Sequence, residues 1–452
     1  MPTPKAKELY SIVGFDFGIN NLENATALES DSLGPYSYKY RIALREAVNV
    51  DLTLTGGVRR RDGYSLISSG RITSLWSDTR LAFGLCARDG YLCRVSEDGV
   101  LTQLTTVTNE SVCYAYANGD VLWSDGARCG RVKADGTWGY WGLPVPPKPS
   151  ASTVAGGDLT EGRYRVAVTC VDAFGRESAC LGFVEVDVTN GQKIVVTGVP
   201  TSGRSDITNF YVYCSLPFGE TLYVSRRLDL GLGGCEISLA DLKRGQELVT
   251  LHLSPPTGAT FIRVEYGRVL IARDNYLVAS SPLNFDLFDE AYNTIPFDSN
   301  ITGVECTGDG WYVGTEKGVY FLQGTDLDGL KLVRLNYAGV VSGTMTRVER
   351  KYIVDRGRDA IYWLGSDGLF YSGGPGGEVA PLAAGRFKAV EFASGTTLSR
   401  QLRGSRSVLF TILPANSDAE RGIAQIVPTL APYEFSVDAY TEDAVCQAVF
   451  SV

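Results

Sequence analysis

Residue types that commonly carry out catalysis are scarce in this sequence. Among its 452 residues there is one histidine, His252, which lies between two leucines and just before Pro255-Pro256. Histidine is the usual general base near neutral pH and the usual partner of a serine or cysteine nucleophile. Because the single copy lies beside a proline pair, which marks a chain boundary, we interpret His252 as a half-exposed linker residue. The sequence therefore predicts no catalytic triad.

Ten cysteines are spread too thinly for a disulfide scaffold, and none forms the C-x-x-C spacing of a zinc site. We expect buried free thiols, with no metal and no other cofactor. One pair can be placed from the sequence, because a two-residue turn at Asp89-Gly90 makes Cys86 face Cys93 across a hairpin. That position belongs to the hydrogen-bonded pairs, whose side chains are farther apart, so we expect no disulfide there.

Acidic residues offer three candidate sites, and each is better explained as a turn or loop. Glycoside hydrolysis needs two facing carboxylates, and the densest acidic cluster holds Asp286, Asp289 and Glu290, interpreted as a solvated loop between blades. The segment 134–138 lacks the leading serine and the spacing of a sialidase Asp-box, so it predicts a hairpin turn. The segment 326–329 begins like a calcium loop but has no glutamate at the twelfth position, so it also predicts a turn.

Two further motifs are candidates for contact with phosphate or acidic groups. The run Arg59-Arg60-Arg61 is the one notable basic spot in the sequence. We interpret it as a solvated strand edge, where arginine discourages pairing between edges, with a phosphate or acidic partner as the functional alternative. The stretch 373–377 is glycine-rich but lacks the Lys-Ser/Thr ending of a phosphate loop, so it predicts a flexible turn.

The composition excludes several classes of function. The net charge is -9 with a pI near 5.0, which argues against tight binding to nucleic acid, because that affinity comes from phosphates neutralised by Lys and Arg. No run of about 18 apolar residues predicts a membrane-spanning helix. The residues after Met1 lack the apolar core of a signal peptide, which predicts synthesis in the cytoplasm without secretion. These features favour a protein that is not an enzyme.

The elements that would position any site are strands. Short runs of alternating apolar residues, separated by Asp-Gly, Asn-Gly or Gly-Gly, predict an all-β protein. One hairpin unit recurs over 303–322 and 360–371, and more loosely over 268–280. It is typical of four-stranded propeller blades, each of which needs a neighbour to bury both faces. A β-sandwich or a solenoid would produce part of the same self-similarity.

Proline-rich segments interrupt the repeat at 143–149 and again at Pro255-Pro256. Between them the strands alternate strictly, which predicts an inserted β-sandwich with its own core, protruding from an exposed loop. Without residues 145–257 and the first 70 residues, 269 positions remain, which make about six blades at about 40–45 residues per blade. The predicted domains are an N-terminal arm and first strands over 1–70, the first part of a β-propeller over 71–144, the sandwich over 145–257, and the second part with the closing strands over 258–452.

Two stretches of the sequence resemble known families. Residues 164–178 follow the pattern Y-x-V-x-V-T-x-V-D-x-x-G-x-E-S, and 209–213 with 220–224 form a later strand pair; both resemble fibronectin type III-like modules. Residues 45–51 and 56–64 resemble the start of the tail nozzle, or packaged-DNA stabilisation, proteins of short-tailed bacteriophages. In that family a propeller-bearing subunit forms a ring below the portal and adaptor.

The second resemblance implies a structural component of the virion tail, assembled in the host cytoplasm, through which DNA is retained and ejected. Its implied partners are further copies of the chain in a ring, which we expect to be hexameric, the portal and adaptor, a tail fibre or spike, and passing DNA held without sequence-specific contact. A ring of subunits at -9 can present an acidic lumen to which DNA does not adhere. We name Arg59, Arg60, Arg61, Arg226 and Arg227 as partner contacts.

The alternative is a receptor- or carbohydrate-binding propeller at the tail tip, in which exposed tryptophans stack on sugar rings. Trp76, Trp138, Trp141 and Trp311 are the candidates, although we interpret all four as blade core, because large aromatics are rarely left exposed. A third hypothesis is an enzyme that acts on cell-wall polysaccharide, for which the sequence provides no catalytic, metal-binding or cofactor-binding residues.

Overall fold

The computed structural model describes most of the chain between residues 72 and 382, and shorter parts on either side. In the central part it omits 79, 202, 244, 326–328, 336 and 349–358; beyond it, it describes 388–389, 392–402, 405–414, 422–426 and 435–439. Before residue 72 it describes five short strands, of which β1 pairs with β3 in parallel and β4 pairs with β5 in antiparallel fashion. These strands are β1 Ser11–Gly14, β2 Ser30–Ser32, β3 Lys39–Ile42, β4 Val50–Leu52 and β5 Val58–Arg60.

Two four-stranded meanders follow, in which each strand pairs with the next along the chain. The first contains the predicted hairpin: Cys86 pairs with Cys93, and Asp89 and Gly90 both adopt positive φ, as a two-residue turn requires. Both cysteines are buried free thiols. The strands are β6 Thr73–Ser77, β7 Gly84–Arg88, β8 Tyr91–Val95 and β9 Leu101–Thr106, then β10 Cys113–Ala117, β11 Asp120–Ser124, β12 Cys129–Val132 and β13 Trp138–Gly139.

A two-sheet sandwich occupies the middle of the chain. Its sheets have the orders β14-β17-β20 and β16-β15-β18-β19, and a separate apolar core lies between them, as predicted for the insert, around Tyr164, Val196, Phe210 and Ile237. A 3-10 helix at Leu239–Asp241 follows the last strand. The strands are β14 Ser150–Leu159, β15 Gly162–Asp172, β16 Val184–Val188, β17 Gln192–Thr197, β18 Ile207–Ser215, β19 Leu222–Asp229 and β20 Gly234–Ile237.

Four more meanders follow the sandwich, and the three predicted hairpin units are confirmed in them. Their strands are β21 Phe261–Glu265, β22 Arg268–Arg273, β23 Tyr276–Ala279 and β24 Thr294–Pro296; β25 Ile301–Thr307, β26 Gly310–Thr315, β27 Val319–Gln323 and β28 Lys331–Leu335; β29 Thr346–Val348, β30 Ala360–Leu364, β31 Phe370–Gly373 and β32 Val379–Leu382; and β33 Phe392–Leu402, β34 Ser405–Pro414, β35 Gly422–Ile426 and β36 Phe435–Ala439.

The predicted fold class is confirmed. The described chain is all-β, with six blade-type meanders and an inserted sandwich, and none of its helices is long and apolar enough to cross a membrane. Residues of β26, β27, β30 and β31 share one aromatic core, so neighbouring sheets cover each other's faces. The chain divides into two compact units: the first is Met1–Tyr114, Ala272–Tyr276 and Pro296–Val452, and the second is Ala115–Ile271 and Leu277–Ile295.

Candidate contact site

Five charged side chains of the second unit form a continuous chain of ion pairs, which we call the ion chain. Arg131 bridges Asp120, at 3.3 Å, and Asp286, at 2.5 Å. The other oxygen of Asp286 accepts from Arg176 at 2.9 Å, and Arg176 also pairs with Asp172 at 2.7 Å. The order is therefore Asp120, Arg131, Asp286, Arg176, Asp172. The ion chain joins the blade of β10–β13, the loop after β23 and the sandwich.

Local structure orients three members of the ion chain. Asp172 ends β15, and its Oδ1 accepts the backbone N–H groups of Phe174 and Arg176, which closes a tight turn. The turn returns the Arg176 guanidinium to the same carboxylate. Arg131 lies on β12, where it pairs with Leu122 of β11. Strand alternation and one turn therefore set the direction of the two guanidinium groups, and folding brings Asp286 between them.

The ion chain is largely shielded from water. Side-chain exposure is 2% for Asp172, 14% for Arg131 and 16% for Asp286. Burial lowers the pKa of Arg176, but the carboxylates of Asp286 and Asp172 outweigh it and raise this pKa above its usual value. Ion pairs at the surface contribute little, whereas removing one member of a shielded pair leaves an uncompensated charge. Asp286 is the central member because it faces both arginines.

The prediction of a solvated loop at Asp286, Asp289 and Glu290 is wrong for Asp286. A carboxylate flanked by two arginines cannot be recognised from the sequence, because Arg131 and Arg176 are each more than 100 residues away. Asp289 is half-buried, and its Oδ1 accepts the Tyr292 N–H at 3.2 Å. Among the described residues, no cluster of acidic, cysteine or histidine side chains could hold a metal ion.

The loop that carries Asp286 also contacts both ends of the insert. The indole N–H of Trp141, just before the sandwich, donates to the Phe285 carbonyl at 2.9 Å, and the Trp141 ring packs edge-on against Phe288. Just after the sandwich, Ser254 and Phe288 exchange backbone hydrogen bonds. From within the sandwich, Arg204 donates to the Gly142 carbonyl at 2.7 Å. These contacts and the ion chain hold the insert at several points.

Two of the predicted contact residues, Arg226 and Arg227, occupy consecutive positions on β19 and are exposed. Their surroundings differ, because Arg226 pairs with Asp241 at 3.1 Å, whereas Arg227 lies 4.9 Å above the Tyr211 ring. Arg227 has no ion pair within the described part of the chain and is therefore the more available of the two for a partner's acidic group.

The other predicted contacts lie on a separate hairpin of the first unit. Arg59 and Arg60 belong to β5, which pairs with β4, and the Arg60 side chain is exposed. Arg61 lies outside the described residues. The four described arginines of this prediction therefore belong to two different units. The structure shows two on the sandwich and two on the β4–β5 hairpin.

Several other candidate sites have structural roles. His252 is exposed, with its N–H bonded to the Cys180 carbonyl. The predicted turn at 134–138 is confirmed by the hydrogen bonds of Thr137 to Asp135. In the segment 373–377, predicted as a flexible turn, Gly373 ends β31 and Pro375–Gly377 form a 3-10 helix, whose Gly376 N–H donates to the Asp309 carboxylate. The possible calcium loop at 326–329 lies mostly outside the described residues.

The tryptophans proposed for sugar stacking are only partly accessible. Trp141 and Trp311 are buried, as the blade-core interpretation predicts, while Trp76 and Trp138 are half-buried. Trp76 stacks on Tyr114 with ring centroids 5.6 Å apart. The Trp141 and Trp311 rings are therefore inaccessible to a sugar.

No protein-family model and no curated protein matches the chain. Among solved structures, apo AztD from Citrobacter koseri is similar at 10% identity and a TM-score of 0.33, covering 87% of this chain and 96% of its own. KlHsv2 with loop 6CD replaced by a Gly-Ser linker is similar at 6% identity and a TM-score of 0.32, covering 82% and 98%. The AfRom2 CNH domain is similar at 7% identity and a TM-score of 0.27, covering 80% and 98%. None of these likenesses bears on the function of this chain.

Proposed function

We propose that this chain is a structural, ring-forming subunit of a bacteriophage tail, placed below the portal and adaptor, with the inserted sandwich as its contact module. The observation that carries the proposal is the ion chain, which fixes a sandwich with its own core to a blade at several shielded points. A module that transmits load or positions a partner needs such a rigid attachment. The resemblance of 45–51 and 56–64 to tail nozzle proteins supplies the biological setting.

The charge distribution supports the same proposal. Each copy carries a net charge of -9, so a ring of copies around a lumen repels DNA and allows it to slide. The exposed Arg227 on β19 is available to an acidic group of a fibre or a neighbouring subunit. Contact with a fibre therefore requires this part of the sandwich, while passage of DNA requires no specific site.

Electron microscopy of the purified protein, mixed with portal–adaptor complexes of a short-tailed phage, tests the proposal. We expect a ring of extra density below the adaptor. Arg227→Glu should keep the ring and weaken fibre recruitment at least tenfold, whereas Lys133→Glu, the same charge change at an exposed turn of a blade, should weaken neither. A protein that stays monomeric and never joins the complex would show that the proposal is wrong.

A further inference from the structure

Three turns of the sandwich meet at one end, which we call the Phe218 end. They are 159–162, 188–192 and 216–221. The Phe218 N–H donates to the Arg163 carbonyl at 2.8 Å, and the Glu161 N–H donates to the Asn190 side chain at 2.8 Å. Pro217 packs so closely on Gly162 that a Cβ there would lie 2.7 Å from it. The three turns therefore form one braced surface.

This surface displays a large aromatic side chain to solvent. Phe218 is 76% exposed, and its backbone has φ +56, a left-handed conformation that glycine adopts without strain and phenylalanine does not. A glycine at this position would close the turn at lower cost, so neither burial nor turn geometry explains the phenylalanine. An exposed aromatic on a braced turn is instead the type of side chain that anchors protein interfaces.

The charged side chains around Phe218 that have no ion pair within the described residues are acidic. Arg163 pairs with Asp187 at 3.0 Å and Arg165 pairs with Glu185 at 3.1 Å, so these arginines are already neutralised. Glu161 and Glu220 are exposed, and neither has an ion pair within the described residues. A partner that covers Phe218 therefore needs apolar surface for the ring and positive charge for the two glutamates.

The chain itself carries a segment with this chemistry, the β4–β5 hairpin. The exposed Arg60 lies between Arg59 and Arg61, and Val58 and Leu52 form the adjacent backbone pair. This is the one run of three basic residues in the sequence. Apolar residues and arginines are therefore combined in one short hairpin, as the Phe218 end requires.

We propose that the Phe218 end of one copy docks on the β4–β5 hairpin of a second copy. This inference rests on the proposed function, because it names a contact by which copies would join. The two surfaces differ, so each copy offers one and receives the other, and a contact of this head-to-tail kind continues from copy to copy and can close into a ring. Arg59 and Arg60 of one copy then bind Glu161 and Glu220 of the neighbour.

Charge reversal in the full-length chain tests the contact, with mass measured by sedimentation over a concentration series. One variant carries Glu161→Arg and Glu220→Arg, and the other carries Arg59→Glu and Arg60→Glu. We expect each alone to weaken association at least tenfold, and an equimolar mixture to restore it, because every contact in the mixture then joins opposite charges. Restoration by mixing requires a contact between chains and would not follow from a contact within one chain.

Phe218→Gly separates binding from folding. It should weaken association at least tenfold without lowering the melting temperature, because glycine suits the backbone at this position. Tyr292→Ser, at another aromatic residue that is 88% exposed, is the matched control and should leave association unchanged.

Three results would overturn the inference. If the wild type forms rings and both charge-reversed variants form them equally well, the contact is wrong while the proposed ring stands. If both variants fail to associate and the mixture stays dissociated, the two surfaces do not face each other. If the wild type remains monomeric alone and with portal–adaptor complexes, the proposed function fails and the inference fails with it.

Discussion

Replacing Asp286 by asparagine should weaken the attachment of the inserted sandwich to the blade of β10–β13. The carboxylate accepts from Arg131 at 2.5 Å and from Arg176 at 2.9 Å. An asparagine of the same shape keeps one acceptor oxygen, but its amide N–H₂ group faces the second guanidinium, and no negative charge remains between the two arginines. The substitution therefore removes charge with little change in volume.

The magnitude follows from the shielding of this site. Removing one partner of a buried ion pair costs about 3–5 kcal/mol. The Arg176 side chain is 35% exposed, so water recovers part of this loss, and we expect Asp286→Asn to lower the free energy of unfolding by about 2–3 kcal/mol. The same loss should raise hydrogen exchange of the backbone around 284–288 by about 30- to 160-fold, because this segment then opens locally more often.

Asp289→Asn is the matched control, because it removes the same charge from the same loop. Among the described residues, the Asp289 side chain accepts only the Tyr292 N–H, and an asparagine oxygen can keep that bond. We expect a change below about 0.5 kcal/mol. Guanidinium unfolding followed by tryptophan fluorescence gives the free energies, and hydrogen exchange read by mass spectrometry gives the local effect. Equal changes for the two variants would refute the assignment of Asp286 as the central residue of the ion chain.

Three further predictions concern other parts of the fold. Gly373→Ala should lower the melting temperature, at a cost of about 1–3 kcal/mol, because its Cβ would lie 2.9 Å from the Trp363 and Tyr312 rings, whereas Gly308→Ala, with open space around it, should not. Burial raises the pKa of Glu177, although hydrogen bonds oppose the shift. Its ionisation therefore costs stability as the pH rises through the folded pKa. In thermal unfolding, Glu177→Gln should stabilise the protein at pH 7 and give no gain below about pH 4. Burial also raises the pKa of Cys86 to about 12, so mass spectrometry should find it unlabelled by iodoacetamide at pH 8 until the protein is unfolded.

The local sequence determines the strands and turns of this protein. Alternation with a period of two, together with dipeptides such as Asp89-Gly90, identifies hairpins because strand side chains alternate between faces and only certain residues adopt positive φ. The register of Cys86 opposite Cys93 follows from that turn alone. The predicted boundaries of the insert rest on a similar reason, since proline stops strands and cannot donate a backbone hydrogen bond.

The ion chain and the Phe218 end depended on the tertiary structure. Asp286 looked like any acidic loop residue, because its partners Arg131 and Arg176 lie on elements that only folding brings together. The backbone pattern gives no sign of such pairs, since the strength of a charge interaction depends on distance and shielding, neither of which is set by neighbours in sequence. Likewise, the left-handed backbone and the exposure of Phe218 result from the packing of three turns separated by up to about 60 residues in the chain.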